Sequence, residues 1–355
     1  MTISYAIVGA GMMGREHMRN LALLPDATLV ALCDPDPESR NQSSKLAAAL
    51  GFEPQVFSDL DAMLSTVTPD AVIVATPNFT HFDIARRLLA ENVAILLEKP
   101  LCASPDDARR LASMAIDNPR TFWVGMEYRF MPPVARYIER VHAEETGAPR
   151  MLYIREHRFP FLKKVGDWNR FNRNTGGTLV EKCCHFFDLM RVILRDEPVR
   201  VFASGGQDVN HLDELYDGER PDILDNAFVT VEFARGARAV LELCMFAEGS
   251  EQQTSIHTIG ARGKIEVSIP SGEIIMSPRD RSGLSKEFVS VPADILAAGD
   301  HHGATYHQLS AFQGCLLQGR PPIVSALDGY RAVAMGAAAQ QSIQSGTPIP
   351  IARED

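Results

Sequence analysis

The stretch Gly9-Ala10-Gly11-Met12-Met13-Gly14 directly follows the apolar run Tyr5-Ala6-Ile7-Val8 and precedes a helical pattern that ends near residue 24. A buried strand, a glycine turn and a helix form the context in which a G-x-G-x-x-G motif binds a dinucleotide. In that context Gly9 permits the tight turn, Gly11 lets the main chain approach a pyrophosphate, and Gly14 lets the helix pack on the strand. The stretch therefore predicts the start of a Rossmann domain.

The helix that follows this turn would offer free N–H groups and a partial positive charge to phosphates. For this reason Met12 and Met13, which lie at the turn, are predicted cofactor contacts together with the three glycines. The alternative is a glycine-rich turn that binds no ligand, and the motif alone does not decide between the two interpretations.

An acidic residue at the expected distance favours the dinucleotide. Asp34 follows the apolar run Thr28-Leu29-Val30-Ala31-Leu32-Cys33 and comes 20 residues after Gly14, the interval typical of the carboxylate that binds the ribose hydroxyls. A carboxylate there would repel the 2′-phosphate of NADP, and proline rather than arginine follows it, so we predict NAD over NADP. The alternative is that Asp34 only caps the next helix.

Strand and helix patterns then alternate up to about residue 125, which predicts a doubly wound parallel sheet. Ligands of such sheets bind beyond the carboxyl ends of the strands. We therefore predict cofactor contacts from the residues at those ends and from the start of the helix that follows one of them: Thr76, Pro77, Asn78, His81, Glu98 and Lys99.

The pattern changes after residue 126, so we predict a dinucleotide-binding domain over residues 1–126 and a second domain over residues 127–355. A strand at 151–159 and a helix at 177–194 precede several runs rich in Val, Phe, Ile and Thr that turn signals separate. These runs predict a large, open, mostly antiparallel sheet. Such a sheet often leaves one face free for a partner subunit.

Candidate catalytic residues lie in Glu181-Lys182-Cys183-Cys184-His185. On a helix Glu181 and His185 share a face, and histidine is suited to take a hydroxyl proton as a hydride leaves. Lys99 could hydrogen-bond the same oxygen and stabilise developing negative charge. The alternative is that His185 is a structural histidine paired with Asp188.

Composition limits the classes of partner and compartment. The chain has 355 residues, a formal net charge of −10 and no long basic stretch, which argues against a nucleic acid partner. No apolar run approaches the roughly 20 residues that span a bilayer, and we expect neither a membrane partner nor a signal peptide. The six cysteines form no C-x-x-C pair, so we expect reduced thiols and a cytoplasmic location.

A zinc site is a further alternative, built from Cys183, Cys184, His185, His301 and His302. Neighbouring cysteines on a helix point in different directions and rarely ligate one ion. We therefore predict no metal.

Over essentially its whole length the chain resembles the glucose–fructose oxidoreductase, inositol dehydrogenase and rhizopine-catabolism (Gfo/Idh/MocA) family. The resemblance rests on the glycine stretch at 9–14, on residues 75–81, on Glu98-Lys99-Pro100, on Tyr128-Arg129-Phe130 and on the segment 176–188. It implies a Rossmann domain followed by an α/β domain with a large open sheet, and dimers or tetramers formed through that sheet. It also implies oxidation or reduction of a hydroxyl on a sugar, a cyclitol or a related polyol.

Within this resemblance Lys99 and His185 match the family's catalytic lysine and histidine. The family usually carries aspartate four residues before the histidine, where this chain has Glu181, and the longer side chain would bind a substrate hydroxyl or orient His185. The predicted substrate contacts are Lys99, Tyr128, Arg129, Trp168, Arg170, Glu181 and His185. Two alternative functions stay open: a reductase that holds its cofactor tightly, and a dinucleotide-binding sensor without turnover.

Overall fold

The computed structural model describes residues 2–352, which form two compact units. The first unit contains residues 2–130 and 291–330, and the second contains residues 131–290 and 331–352. The strands are β1 (Ile3–Val8), β2 (Ala27–Cys33), β3 (Gln55–Phe57), β4 (Ala71–Val74), β5 (Ala94–Leu97), β6 (Phe122–Val124), β7 (Pro149–His157), β8 (Pro198–Gly206), β9 (Asn226–Phe233), β10 (Arg238–Cys244), β11 (Thr254–Gly260), β12 (Gly263–Ile269), β13 (Glu273–Pro278), β14 (Ser285–Phe288) and β15 (Ile349–Pro350).

The α-helices are α1 (Met12–Leu21), α2 (Pro37–Ala49), α3 (Leu60–Thr66), α4 (His81–Leu88), α5 (Pro105–Ile116), α6 (Pro132–His142), α7 (Asn172–Thr175), α8 (Thr178–Glu181), α9 (Cys184–Leu194), α10 (Ala293–Ala298), α11 (Ala304–Gln318) and α12 (Ala326–Ser345). Short 3-10 helices cover Asn78–Thr80, Glu127–Phe130 and Val165–Arg170.

The first unit is built on a six-stranded sheet in the order β3-β2-β1-β4-β5-β6, with all neighbours parallel. Its central strands β4 and β5 are buried along their whole length, as expected when helices cover both faces of a parallel sheet. Helices α2, α3 and α5 begin with side-chain caps. At the start of α2, for example, Asp36 accepts a hydrogen bond from Ser39 N at 2.7 Å. The predicted doubly wound parallel sheet is confirmed.

Residues 291–330 lie in the first unit. Helix α11 provides the reason. Its Phe312 ring lies 5.9 Å from the ring of Trp123 on β6, and Gln313 Nε2 donates to Pro25 O at 2.7 Å. These contacts join residues that are far apart in sequence, so the periodicity of the chain does not reveal them.

The second unit is built on a nine-stranded sheet in the order β14-β13-β12-β11-β7-β10-β9-β8-β15. All neighbours are antiparallel except β7 and β10, which pair in parallel. Burial alternates along the central strands: the face against which α6 and α9 pack is buried, and the residues of the other face are mostly partly exposed. The predicted large, open and mostly antiparallel sheet is confirmed.

The helix predicted over residues 177–194 is interrupted. Helix α8 ends at Glu181 and α9 begins at Cys184, and Cys183 N donates five residues back, to Thr178 O at 3.4 Å. At the break the buried Lys182 ammonium lies 3.0 Å from Glu156 Oε1 on β7. A buried ion pair with a sheet strand therefore marks the point where the helical hydrogen-bond ladder is broken.

Candidate functional site

The glycine loop has the geometry of a phosphate-binding turn. Gly9 has a φ of +94°, and a Cβ there would lie 2.5 Å from Ala75 O, while a Cβ at Gly14 would collide with Gly9 O. A Cβ at Gly11 would meet no described atom within 4 Å. The two outer glycines are thus required for close packing, and the middle glycine faces open space where a ligand can approach the main chain.

Helix α1 begins at this open space. Within residues 2–352 no side chain caps it, and Met12 in its first turn is 44% exposed. The N–H groups of a first helical turn have no partner within the helix and favour an anion. The residues present therefore fit the pyrophosphate of a dinucleotide.

Asp34 lies directly beside the loop. Its Oδ2 accepts a hydrogen bond from Ala10 N at 2.7 Å and its Oδ1 accepts one from Asp36 N at 2.8 Å. A carboxylate has about four lone-pair sites, so these two main-chain bonds hold it in place and leave acceptor capacity for ribose hydroxyls. The nearest basic side chain, Arg40, donates to Asp34 O at 2.7 Å and Pro35 O at 2.8 Å. Asp34 does not cap α2, because Asp36 does so.

The end of β4 and the turn after β5 are joined by a buried histidine. His81 begins α4, and its ring nitrogens lie 2.8 Å from Pro100 O and 3.0 Å from Thr76 O. Pro77 precedes the 3-10 helix Asn78–Thr80, in which Asn78 is buried. The predicted cofactor residues of this region therefore lie together at the carboxyl edge of the sheet, and His81 fixes the main chain there.

Glu98 faces the interior of the first unit. His17 Nε2 lies 2.7 Å from Glu98 Oε1, and the Lys99 amide donates to Oε2 at 3.2 Å. Burial opposes the charged form of each member of the pair, but their mutual hydrogen bond and charge raise the pKa of His17 and lower the pKa of Glu98. Sequence reasoning missed His17, whose only signal is its position on α1, three residues after the last glycine of the motif.

A second buried group lies beside this pair in the first unit. Thr305 Oγ1 is 2.9 Å from Glu16 Oε1 and 2.6 Å from Glu127 Oε2, and His301 Nδ1 is 2.7 Å from Glu16 Oε1. Burial and the charges of nearby carboxylates raise the pKa of Glu127, whereas His301 lowers the pKa of Glu16 against the effect of burial. His301, which the zinc alternative used, is therefore bound to a carboxylate.

Tyr128 and Arg129 follow β6 in the 3-10 helix Glu127–Phe130. Tyr128 is buried. Arg129 donates to Ile323 O at 3.2 Å and lies 3.6 Å from Asp328 Oδ1. Its guanidinium thus tethers the returning segment 291–330 within the first unit.

The second unit holds the other predicted catalytic residues. Glu181 ends α8 and His185 is the second residue of α9, and both are buried. Lys164 Nζ lies 3.9 Å from Glu181 Oε1 and 4.9 Å from the centre of the Trp168 ring. Trp168, Glu181 and a lysine that the sequence reasoning did not select are therefore brought together.

Arg170 has a structural partner. The residue is buried, and its Nε donates to Glu214 Oε2 at 2.8 Å. Although desolvation acts in the opposite direction, hydrogen bonds from Tyr216, His211 and Arg170 lower the pKa of Glu214 to about 2. Arg170 therefore anchors the loop over residues 207–225. The sequence predicted Arg170 as a substrate contact and did not predict this contact with Glu214.

All six cysteines are free thiols. Within residues 2–352 no group of three or more His, Cys, Asp or Glu side chains is arranged to hold a metal ion.

No helix in the described part of the chain combines the length and the apolar character needed to cross a membrane.

A parallel sheet with a glycine loop and a carboxylate beside that loop defines a dinucleotide-binding Rossmann domain. The sequence matches the family described as "Oxidoreductase family, NAD-binding Rossmann fold" over residues 3–126. It matches the companion "Oxidoreductase family, C-terminal alpha/beta domain" over residues 138–351. The chain belongs to the Gfo/Idh/MocA family, which confirms the resemblance.

Curated relatives match over nearly the whole chain. Inositol 2-dehydrogenase of Rhizobium meliloti is 25% identical and covers 99% of this chain and 100% of its own length. The scyllo-inositol 2-dehydrogenase (NAD(+)) of Bacillus subtilis is 27% identical, with 98% of this chain and 95% of the relative covered. Among solved structures, a levoglucosan dehydrogenase in complex with NADH has the same fold, with a TM-score of 0.87, 19% identity and full coverage of both chains. The chain is an oxidoreductase of this family.

Proposed function

We propose that this protein uses NAD to oxidise one hydroxyl of a sugar, a cyclitol or a related polyol to a carbonyl, and that Lys99 and His185 manage the proton. The observation that carries the proposal is the position of Lys99. It follows β5 at the carboxyl edge of the sheet, the edge where the glycine loop and Asp34 also lie, and Glu98 holds its main-chain amide. A lysine at that edge is suited to bind the oxygen of a reacting alcohol.

The preference for NAD over NADP is supported by Asp34. Its carboxylate is fixed by two main-chain N–H groups, so it cannot easily turn away from a 2′-phosphate. Arg40, the nearest cation, is already bonded to two carbonyl oxygens. Ribose hydroxyls would satisfy the remaining acceptor sites of Asp34, whereas a phosphate would meet negative charge at the same place.

The proposed chemistry divides between the dinucleotide and the side chains of this protein. NAD, when bound, accepts the hydride from the carbon that is oxidised. His185 takes the hydroxyl proton as a general base, and Lys99 donates a hydrogen bond to the same oxygen and stabilises its developing negative charge. Glu181 binds a neighbouring substrate hydroxyl or orients His185, and Lys164 balances its charge.

The substrate class is supported by the relatives, whose names describe inositol dehydrogenases. We assign Trp168, Tyr128 and Arg129 to the substrate side of the site. We assign Arg170 to the support of the loop over residues 207–225, because Glu214 binds its guanidinium.

Initial rates with a panel of inositols, aldoses and anhydrosugars, each with NAD and with NADP, test this proposal. We expect NAD reduction with at least one neutral polyol and a kcat/KM with NAD that is higher than with NADP. A panel in which no alcohol reduces either dinucleotide would contradict the proposed reaction. Faster turnover with NADP would contradict only the cofactor assignment.

We also propose that the protein assembles as a dimer or tetramer through the open face of the nine-stranded sheet. Three large apolar side chains lie exposed on that face: Phe202 on β8, Phe228 on the neighbouring β9, and Met151 on β7, which β10 separates from β9. Phe228 is 63% exposed. Exposed apolar side chains on one face commonly mark protein interfaces, and a second copy of the chain presents a matching face.

A further inference from the structure

The main-chain amide of Lys99 is bound by the Glu98 carboxylate. Glu98 Oε2 accepts the Lys99 amide at 3.2 Å, and Oε1 lies 2.7 Å from His17 Nε2. Each carboxylate oxygen therefore has a different partner. His17 orients the carboxylate through one oxygen, and the carboxylate orients the main chain of Lys99 through the other.

The carboxylate has a closely fitted place in the first unit. Glu98 is 4% exposed and His17 is fully buried. A Cβ at Gly125 would lie 3.1 Å from both Glu98 Oε2 and Glu98 Cα, so the absence of a side chain at that position leaves room for the carboxylate. Water does not compete for such a group, and its orientation is set by its protein partners.

The electrostatic surroundings favour an ionised pair. Three carboxylates act on His17: its partner Glu98, and also Glu127 and Glu16. Two cations, His17 and Lys99, act on Glu98. Removing the imidazole would leave a buried carboxylate without its closest cation, which is costly in a low-dielectric interior.

We propose that His17 is a positioning residue for Lys99: it holds the Glu98 carboxylate in the place where that carboxylate accepts the Lys99 amide. His17 makes no contact with substrate in this scheme and acts only through Glu98. The effect of His17 on turnover rests on the proposed function of Lys99. The existence of the His17–Glu98 pair does not depend on that proposal.

Two substitutions at position 17 separate hydrogen bonding from charge. In His17→Gln the amide N–H reaches about as far as Nε2 and can still donate to Glu98, but the positive charge is lost. In His17→Met both the hydrogen bond to Glu98 and the positive charge are lost, while the volume of the side chain stays similar. A matched control is His142→Gln in the second unit, where a half-buried histidine is hydrogen-bonded to Val192 O at 2.9 Å and does not touch Glu98.

Kinetics should distinguish a positioning role from a merely structural one. We expect His17→Met to lower kcat by about 10- to 100-fold, the cost of a small misplacement of a reacting group, with the KM for NAD nearly unchanged. His17→Gln should recover most of kcat near neutral pH. His142→Gln should behave as the wild type.

The direction in which the pH profile of kcat/KM shifts provides the most decisive test. In the wild type, His17 helps to keep the pKa of Glu98 below its ordinary value although burial acts in the opposite direction. Without that charge Glu98 takes up a proton at a higher pH, and a protonated carboxyl group holds the Lys99 amide less well. The acid limb of kcat/KM in His17→Gln should therefore move to higher pH. A wild-type profile in both variants, or equal losses in both with an unmoved acid limb, would overturn the proposal.

A measurement without turnover keeps the result separate from the proposed reaction. In histidine-labelled protein, NMR titration should give His17 a midpoint above that of an ordinary histidine, and Glu98→Gln should lower it. If the wild type oxidises no polyol but this pKa shift of His17 is found, the proposed reaction is wrong, whereas the buried His17–Glu98 pair is supported. A His17 midpoint that Glu98→Gln leaves unchanged would overturn the positioning role.

Discussion

At the scale of single residues, main-chain contacts fix the Asp34 carboxylate in the position where we propose that its charge discriminates between NAD and NADP. Its two oxygens accept from Ala10 and Asp36, so the carboxylate is locked beside the glycine loop. A locked charge discriminates between ligands better than a mobile one, because it cannot relax away from a repulsive group. Cofactor choice should therefore respond to this one residue.

Replacing Asp34 by Ser should narrow the preference for NAD over NADP by at least about tenfold, since a change of about 1.4 kcal/mol in relative binding already gives that factor. Fluorescence titration of both dinucleotides measures it. Asp36→Ser is the matched control, because Asp36 caps α2 two residues away and should leave the ratio unchanged. A wild type that binds NADP more tightly would show that Asp34 does not set the preference.

At the scale of secondary-structure elements, the sequence predicts most of the strands and turns that depend on short-range patterns. Five of the six strands of the first sheet follow from apolar runs, and its glycine turn follows from Gly9, Gly11 and Gly14, whose steric roles are local. The short edge strand β3 is not buried and was not predicted. The strands β8 to β12 follow from alternation and from turn signals such as Arg235-Gly236, which joins β9 to β10 with Gly236 at a φ of +86°.

What the sequence does not predict depends on long-range contacts. The return of residues 291–330 to the first unit depends on partners such as Trp123 and Pro25. The break between α8 and α9 coincides with the Lys182–Glu156 pair, whose members are 26 residues apart. The contact of His17 with Glu98 and the contact of Glu214 with Arg170 also join residues that are far apart in sequence. Residue types identified Lys99, Glu181 and His185 as candidates, but only coordinates reveal what supports them.

At the scale of the whole molecule, we propose that the exposed face of the nine-stranded sheet governs assembly. We expect the wild type to sediment as a dimer or tetramer at micromolar concentration. Phe228→Asp should shift it toward the monomer, because a carboxylate would be buried without a partner at the interface. Ile116→Asp in the first unit is the control: Ile116 is 68% exposed and lies outside that face, so its substitution should not alter the oligomer. A monomeric wild type, or an intact oligomer in Phe228→Asp, would contradict the proposed interface.

The central claim for the whole molecule is that Lys99 and His185 handle one substrate proton. The most direct measurement is kcat on the best polyol of the panel for Lys99→Met and His185→Ala, alongside the Kd for NAD. His185→Ala should lower kcat by roughly 100- to 10,000-fold, the usual cost of losing a general base, and Lys99→Met should be similarly damaging. Lys99→Arg should restore little, because a planar guanidinium does not replace a compact ammonium.

NAD binding and thermal stability should change little in these variants, and the exposed Lys163→Met should keep wild-type kcat. Near-normal turnover in His185→Ala, or an active Lys99→Met enzyme with an unchanged pH profile, would contradict the account.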